Sequence, residues 1–292
     1  MLNISNIYSL QCCHGICVNT IQAYVAVACG TACNKQIDLM AHLKLITFDV
    51  TNTLIHLRSS VGEQYAKIAQ LYGIKFKNED MQKRINESFF DIIKEMKKNH
   101  PNFGVRSGLT SQQWWEKVVF KSFQSSGCLE GKLYDKELKL ASKHLYKLYS
   151  TETGWSADPA AHQVLSQIKK RHAHLSFGVI SNFDERLESI LISLGLRHYF
   201  DFIISSIEFH CQKPDKQIFN IALSKSKVND SKQAIHIGDN INLDYLAAKN
   251  AGWNALIVKD IKLIQENDLL QVNKNEIVNN LSELPSHEYF SQ

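Results

Sequence analysis

Past residue 33 the chain is poor in cysteine. Of seven in all, only Cys128 and Cys211 lie beyond the crowded group Cys12, Cys13, Cys17, Cys29 and Cys33. That scarcity excludes a disulfide-stapled body. It marks a reduced, intracellular domain, expected in the cytoplasm with nucleus or mitochondrion as alternatives. The spacings Cys12-Cys13 to Cys17 and Cys29 to Cys33 fit no common zinc pattern. No apolar run approaches the roughly 18 residues of a membrane span, so no membrane association is expected. Lysine and arginine are scattered and the net charge is only +4, so no nucleic-acid footprint is present. Internal repeats and low-complexity linkers are missing too. Residues 1–39 hold one lysine, one aspartate and no arginine. They lack the basic start of a secretory signal and the arginines of a mitochondrial presequence. They read as a leader, disordered or non-native, with an address of unfamiliar type as the alternative.

What is present is ample apolar material: 44% of 292 residues, enough for a core in one or two domains. The chain is organised around Leu45-Ile46-Thr47-Phe48-Asp49-Val50-Thr51-Asn52-Thr53-Leu54. A short apolar run, the pattern of a buried strand, ends at a carboxylate followed by small polar residues. Chemistry in an open parallel sheet sits just past the carboxyl ends of strands. Three further runs have similar endings: Phe177–Ile180 into Ser181-Asn182, Phe202–Ile204 with Lys213-Pro214-Asp215 nine residues on, and Ala234–Gly238 into Asp239-Asn240 with Asp244 beyond.

Between residues 55 and 155 the pattern turns helical. Val61 to Leu71 stops at Gly73. Asn78 is the expected N-cap of a helix presenting Met81, Ile85, Phe89, Ile92, Ile93 and Met96. Thr110-Ser111-Gln112-Gln113 spells a capping box ahead of Trp114, Val118 and Phe123. A fourth helix is expected over 133–149. Trp114 and Trp115 read as core more than pocket. Asp158-Pro159 predicts an N-cap with proline at the first helical position, opening a helix to about Lys170. Strands are then expected at 175–181, 201–205, 234–238 and 254–258. Helices at 184–194, 215–226 and 241–251 alternate with them, and a final helix is expected in 261–292, carrying Ile277, Leu281 and Leu284. Alternation of this kind argues an α/β, doubly wound parallel sheet.

Asp49-Val50-Thr51-Asn52-Thr53-Leu54, Ser181, Lys213-Pro214 and Gly238-Asp239 with Asp244 resemble, in order, the four motifs of the haloacid dehalogenase superfamily of phosphohydrolases. Pro101-Asn102-Phe103-Gly104, Gly108-Leu109-Thr110-Ser111, Trp114-Trp115 and Ser181-Asn182-Phe183-Asp184 resemble segments of one subgroup of it. The resemblance runs from about Met40 to the C-terminus. It implies a Rossmannoid core over 40–57 and 156–292, with an inserted helical cap domain over 58–155. It also implies that Asp49 is a nucleophile forming an aspartyl-phosphate. Lys213 would neutralise charge beside it, and the Ser181 hydroxyl and Asn182 N–H would hold phosphoryl oxygens. Three carboxylates near one lysine repel unless a cation joins them, and hard oxygens with spare positions suit Mg²⁺. Its expected ligands are Asp49, the Thr51 carbonyl, Asp239 and Asp244, the last more as an orienting neighbour. Arg106 is a candidate reader of an anionic substrate. The expected partner is a small phosphorylated metabolite; oligomeric state is left open.

One position departs from the superfamily. Its phosphatases usually place a second aspartate two residues after the nucleophile, as general acid and base; here Thr51 stands there, and Asn52 replaces the usual glycine. A hydroxyl does no acid–base work near neutral pH, a loss worth about 10²–10⁴ in rate. Two readings follow: a Mg²⁺-dependent phosphohydrolase, slow for want of that acid, or a weak or inactive binding protein on the same fold. True haloacid dehalogenation is disfavoured, since halide displacement has less use for clustered carboxylates. The leader reading carries its own test. A chain beginning at Met40 should melt within about a degree or two of the full chain; a large loss of stability would show that the cysteine-rich segment packs on the domain.

Overall fold

Leu45, Ile46, Thr47 and Phe48 are all wholly buried, as befits a strand covered on both faces. In the computed structural model, which describes residues 43–77, 79–131 and 134–291, this strand is the centre of the molecule. In chain order the strands are β1 (Leu45–Phe48), β2 (Ile55–Leu57), β3 (Trp155–Ala157), β4 (Ser176–Ser181), β5 (Phe202–Ser205), β6 (Ala234–Gly238), β7 (Asn254–Val258) and β8 (Ile277–Val278). Six of them form one parallel sheet in the order β5-β4-β1-β6-β7-β8, while β2 and β3 pair antiparallel as a separate ribbon. Phe48 lies opposite Val179 on one side and Ile237 on the other, so the loops after β1, β4 and β6 leave the sheet side by side. The expected α/β doubly wound architecture is therefore the observed one.

The helices are α1 (Val61–Leu71), α2 (Met81–Asn99), α3 (Ser111–Ser126), α4 (Asp135–Leu148), α5 (Ala161–Arg171), α6 (Leu187–Ser193), α7 (Lys216–Ser226), α8 (Ala247–Asn250) and α9 (Glu266–Leu269). Helices α1 to α4 lie between β2 and β3 in the chain. They bury a cluster of their own around Tyr65, Ile85, Trp114, Val118, Phe123 and Leu145. The sheet and its helices bury another around Leu45, Ile180, Phe219, Trp253 and Ile257. The capping box at Thr110 is present in full, with Gln113 reciprocating. Trp114 is 1% exposed and belongs to the core. Among the described residues no helix is long and apolar enough to cross a membrane.

Six expectations are corrected or fall outside. Asn78 and the start of the 133–149 helix lie outside the described residues, as does the whole 1–39 leader with its cysteines. Asp158 does not begin a helix at Pro159. Its Oδ1 accepts from the Ala160 N–H and its other oxygen holds His56, and α5 starts at Ala161. The helix expected over 241–251 is a π-helical turn, Ile241–Leu246, running into the short α8. In place of one final helix carrying Ile277, Leu281 and Leu284, the tail forms the four-residue α9, short 3₁₀ turns and β8, which extends the sheet. The reason is local. Asp260, Asn273 and Asn280 each bond a backbone N–H two residues on, and such bonds compete with helix continuation. Pro285 closes the last turn.

Helices α1 and α2 meet backbone to backbone at Gly62, where an added Cβ would lie 1.9 Å from the Gln82 carbonyl oxygen. Gly62→Ala should therefore lower the unfolding free energy by about 1–3 kcal/mol, as overpacking does. Urea denaturation of the two proteins checks this, and equal midpoints would show that the helices separate freely.

Candidate active site

Asp49 follows β1 directly, its N–H held by the Ile237 carbonyl of β6 at 2.8 Å. The chain then turns at once: the N–H groups of Thr53, Leu54 and Ile55 all point at the Val50 carbonyl. This tight loop puts Asn52 at φ +59°, a left-handed conformation that asparagine tolerates and that explains how it stands in for glycine. Thr51 is half-buried and bridges to Ile55.

Lys213 reaches this loop from the segment before α7. Its Nζ donates to Asp49 Oδ1 at 2.7 Å, to Asp244 Oδ1 at 2.6 Å and to the Ile180 carbonyl at 2.8 Å, using all three of its hydrogens. The lysine is 2% exposed and Asp244 is 1% exposed, so this charge pairing is made away from water. Burial opposes the charge on Lys213, yet Asp244 and Asp49 hold its ammonium above the usual lysine value. Burial opposes the charge on Asp244 as well, but Lys213 and His236 hold that carboxyl well below the usual range. Asp49 ends the other way: burial pushes it up to about 7, with Lys213 working against the rise and Asp244 adding to it. Burial, helped by Asp244, also raises Asp239.

The ligand atoms of Asp49, Asp239 and Asp244 lie within 4.8 Å of one another. Three carboxylates thus face one lysine. Asp244 is fully occupied: Oδ1 takes Lys213 and His236, and Oδ2 takes the Asn240 N–H at 2.9 Å. The π-helical turn fixes it there, its own N–H bonded to the Asn240 carbonyl. Gly238 leaves the room, since a Cβ at that position would meet the Asp244 carboxylate at 2.3 Å.

Ser181 ends β4 and is 2% exposed. The Asn182 side chain does more than its motif suggests. Its Nδ2 donates to the Lys213 carbonyl at 2.9 Å and its Oδ1 accepts the Lys213 N–H at 2.7 Å, an amide clamp joining the two loops. The candidate Arg106 is exposed on a turn, Asn102–Ser107. Among the described residues no hydrogen bond or ion pair ties it to the cluster.

Sequence reasoning missed His236. This wholly buried residue of β6 places Nδ1 2.9 Å from the Thr47 hydroxyl and Nε2 3.2 Å from Asp244 Oδ1. Burial first, and Lys213 second, lower it to about 4, so it is neutral. A carboxylate only accepts, so the ring proton sits on Nε2 and Thr47 donates to Nδ1. A polar residue between Ile235 and Ile237 in a buried strand was the available signal.

Residues 43–252 match the sequence profile of the haloacid dehalogenase-like hydrolases. The chain is similar to haloacid dehalogenase-like hydrolase domain-containing protein 3 of Mus musculus, 35% identical over 248 residues, covering 84% of this chain and 94% of that protein. Rhythmically expressed gene 2 protein of Drosophila melanogaster is 37% identical over 227 residues, 76% of this chain and 85% of its own. The magnesium-bound HAD-hydrolase YfnB of Bacillus subtilis, whose structure is described as revealing interdomain movement, superposes with a TM-score of 0.58 at 16% identity, covering 84% and 97% of the two chains. That likeness shows the fold alone. Dehalogenases and phosphatases both occur among solved structures of this fold.

The centre of the site is open to a direct test. Lys213→Met leaves two buried carboxylates without their shared partner and should cost roughly 3–5 kcal/mol of stability. Chemical unfolding measures it; a loss below about 1 kcal/mol would mean that water already solvates the pair.

Proposed function

The chain belongs to the haloacid dehalogenase-like hydrolases, and we propose that it is a Mg²⁺-dependent phosphohydrolase acting on a small phosphorylated metabolite. The observation that carries this reading is the convergence of Asp49, Asp239 and Asp244 within 4.8 Å around a single buried lysine. The donor set fits a hard cation. Asp49 spends one oxygen on Lys213, Asp239 is only partly buried, and both carboxyls are raised, by burial first and by Asp244 second to it among the raising groups, a cost that a bound cation would offset. Bound by Asp49, Asp239 and the Thr51 carbonyl, with Asp244 orienting from behind, Mg²⁺ would offset the negative charge of the phosphoryl group.

The chain's own residues have separate tasks. Asp49 attacks phosphorus: its Oδ–P bond forms as the bond to the leaving oxygen breaks, giving an aspartyl-phosphate. Lys213 keeps Asp49 oriented and works against the burial that disfavours its charge. The Ser181 hydroxyl and the Asn182 N–H hold phosphoryl oxygens, and the Asn182 side chain keeps Lys213 in register with them. Water then attacks phosphorus and frees Asp49. Thr51 delivers no proton, so the leaving oxygen departs with the electron pair and without help. The helical insert α1 to α4 acts as the cap over the strand ends and sets which substrate enters.

Two experiments decide between enzyme and binding protein. Millimolar Mg²⁺ should raise the melting midpoint by mass action, and Asp239→Asn should abolish the shift. Aryl and acyl phosphates, whose leaving groups need little protonation, should turn over first and leave label on Asp49 in acid-quenched protein. Thr51→Asp should raise alkyl-phosphate turnover by about ten-fold or more, within the roughly 10²–10⁴ range of acid catalysis. Asp49→Asn should remove activity in both backgrounds. Absence of turnover and label with every activated phosphate, with no gain from a folded Thr51→Asp, leaves the binding-protein reading in its place.

A further inference from the structure

Three residues past Ser181, the chain carries an ion pair that phosphoryl transfer as described above does not use. Asp184 is wholly buried and Arg186 is 7% exposed. The guanidinium grips the carboxylate with both prongs: Nε to Oδ1 at 2.8 Å and Nη2 to Oδ2 at 2.6 Å. Both residues belong to the core side of the molecule. The groups that enclose them come from the helical insert. Trp115 of α3 donates its indole N–H to Asp184 Oδ2 at 2.7 Å. Arg186 lies 4.1 Å from the ring centroid of Tyr146 and 5.3 Å from that of Trp115, and its Nη1 donates to the Tyr146 carbonyl at 3.2 Å. Between them, Glu185 accepts from the hydroxyls of Ser111 and Tyr146.

A second tie runs parallel. Asn102 of the insert donates its amide to the Ser206 carbonyl at 2.8 Å. Ser206 in turn donates its N–H to the Ser181 carbonyl at 3.0 Å and its hydroxyl to the Phe183 carbonyl. The insert therefore holds the 181–186 loop from two directions. That same loop clamps the Lys213 backbone through Asn182.

The pair cannot slide. Lifting the insert would take the Trp115 donor from Asp184 and both ring faces from Arg186, leaving a buried ion pair half-solvated. Packed polar joints of this kind have discrete arrangements and do not deform continuously. We propose that Asp184 and Arg186 are positioning residues, through which seating of the insert sets the Ser181–Asn182 loop that holds the transferring phosphoryl group. The proposal rests on the phosphohydrolase reading for that last role. The joint itself does not depend on it.

The test uses the full chain with Trp115→Phe and Tyr146→Phe. Each keeps an aromatic ring against Arg186, and each removes one polar bond across the joint. Asp184→Asn is the harsher companion and risks misfolding. Hydrogen–deuterium exchange should quicken about ten-fold in the 181–186 loop of Trp115→Phe, the size of one lost bond to a buried charge, while β1 and β6 keep their protection. With an aryl phosphate and Mg²⁺, kcat should fall about ten-fold with KM within about two-fold, since the loop acts on the transferring group. Unchanged exchange in the loop of both folded variants overturns the proposal. So does exchange that quickens equally in every strand, which would be general loosening. A wild-type chain that turns over no phosphate sinks the phosphohydrolase reading, and the exchange pattern still decides whether the joint couples insert and loop.

Discussion

Everything at the strand ends depends on one ammonium group held between two carboxylates out of water. Lys213 is the meeting point of the carboxyl ends of β1, β4 and β6, because it bonds Asp49, the Ile180 carbonyl and Asp244 at once. Removing charges from water is costly, and mutual attraction offsets that only when the geometry is close and the remaining valences are filled. Here they are filled: Asn182 fixes the lysine backbone, Asn240 and His236 complete Asp244, and Thr47 completes His236. What remains uncompensated is negative. Among the described residues one Asp49 oxygen has no hydrogen bond and Asp239 stands beside it, so the charge left over at the centre is negative.

The family and the sheet were legible because both announce themselves locally. A buried strand followed by a polar turn is a pattern of ten residues, and four such patterns in order leave few arrangements. The capping box at Thr110 was legible for the same reason. The tail was not. Ile277, Leu281 and Leu284 have helical spacing, but asparagine side chains at 273 and 280 take the backbone N–H groups that a helix would use. Periodicity reported which residues are buried and was silent on that competition. The π-helical turn at Ile241–Leu246 was equally hidden, since no spacing of residues in the sequence marks it off from an ordinary helix.

Within the site, identity was easier to read than connection. Asp49, Lys213, Asp239 and Asp244 were picked out by type and order, and the structure brings them together. The side-chain clamp of Asn182 and the neutral His236 depend on contacts thirty and more residues apart, for which no local pattern exists. Arg106 was singled out for its charge in a loop of the right region. A long exposed side chain, though, is placed by what it meets, and here it meets none of these groups.

The two apolar clusters, one in the helical insert and one behind the sheet, have no member in common. Phe89 and Leu138, inside the insert, pack among its helices and belong to a cluster separate from the one behind the sheet. Such a division lets one half of a chain drift while the other stands still. A laboratory varying the insert has the same freedom where it leaves Asn102, Ser111, Trp115 and Tyr146, which bond the core side, unchanged.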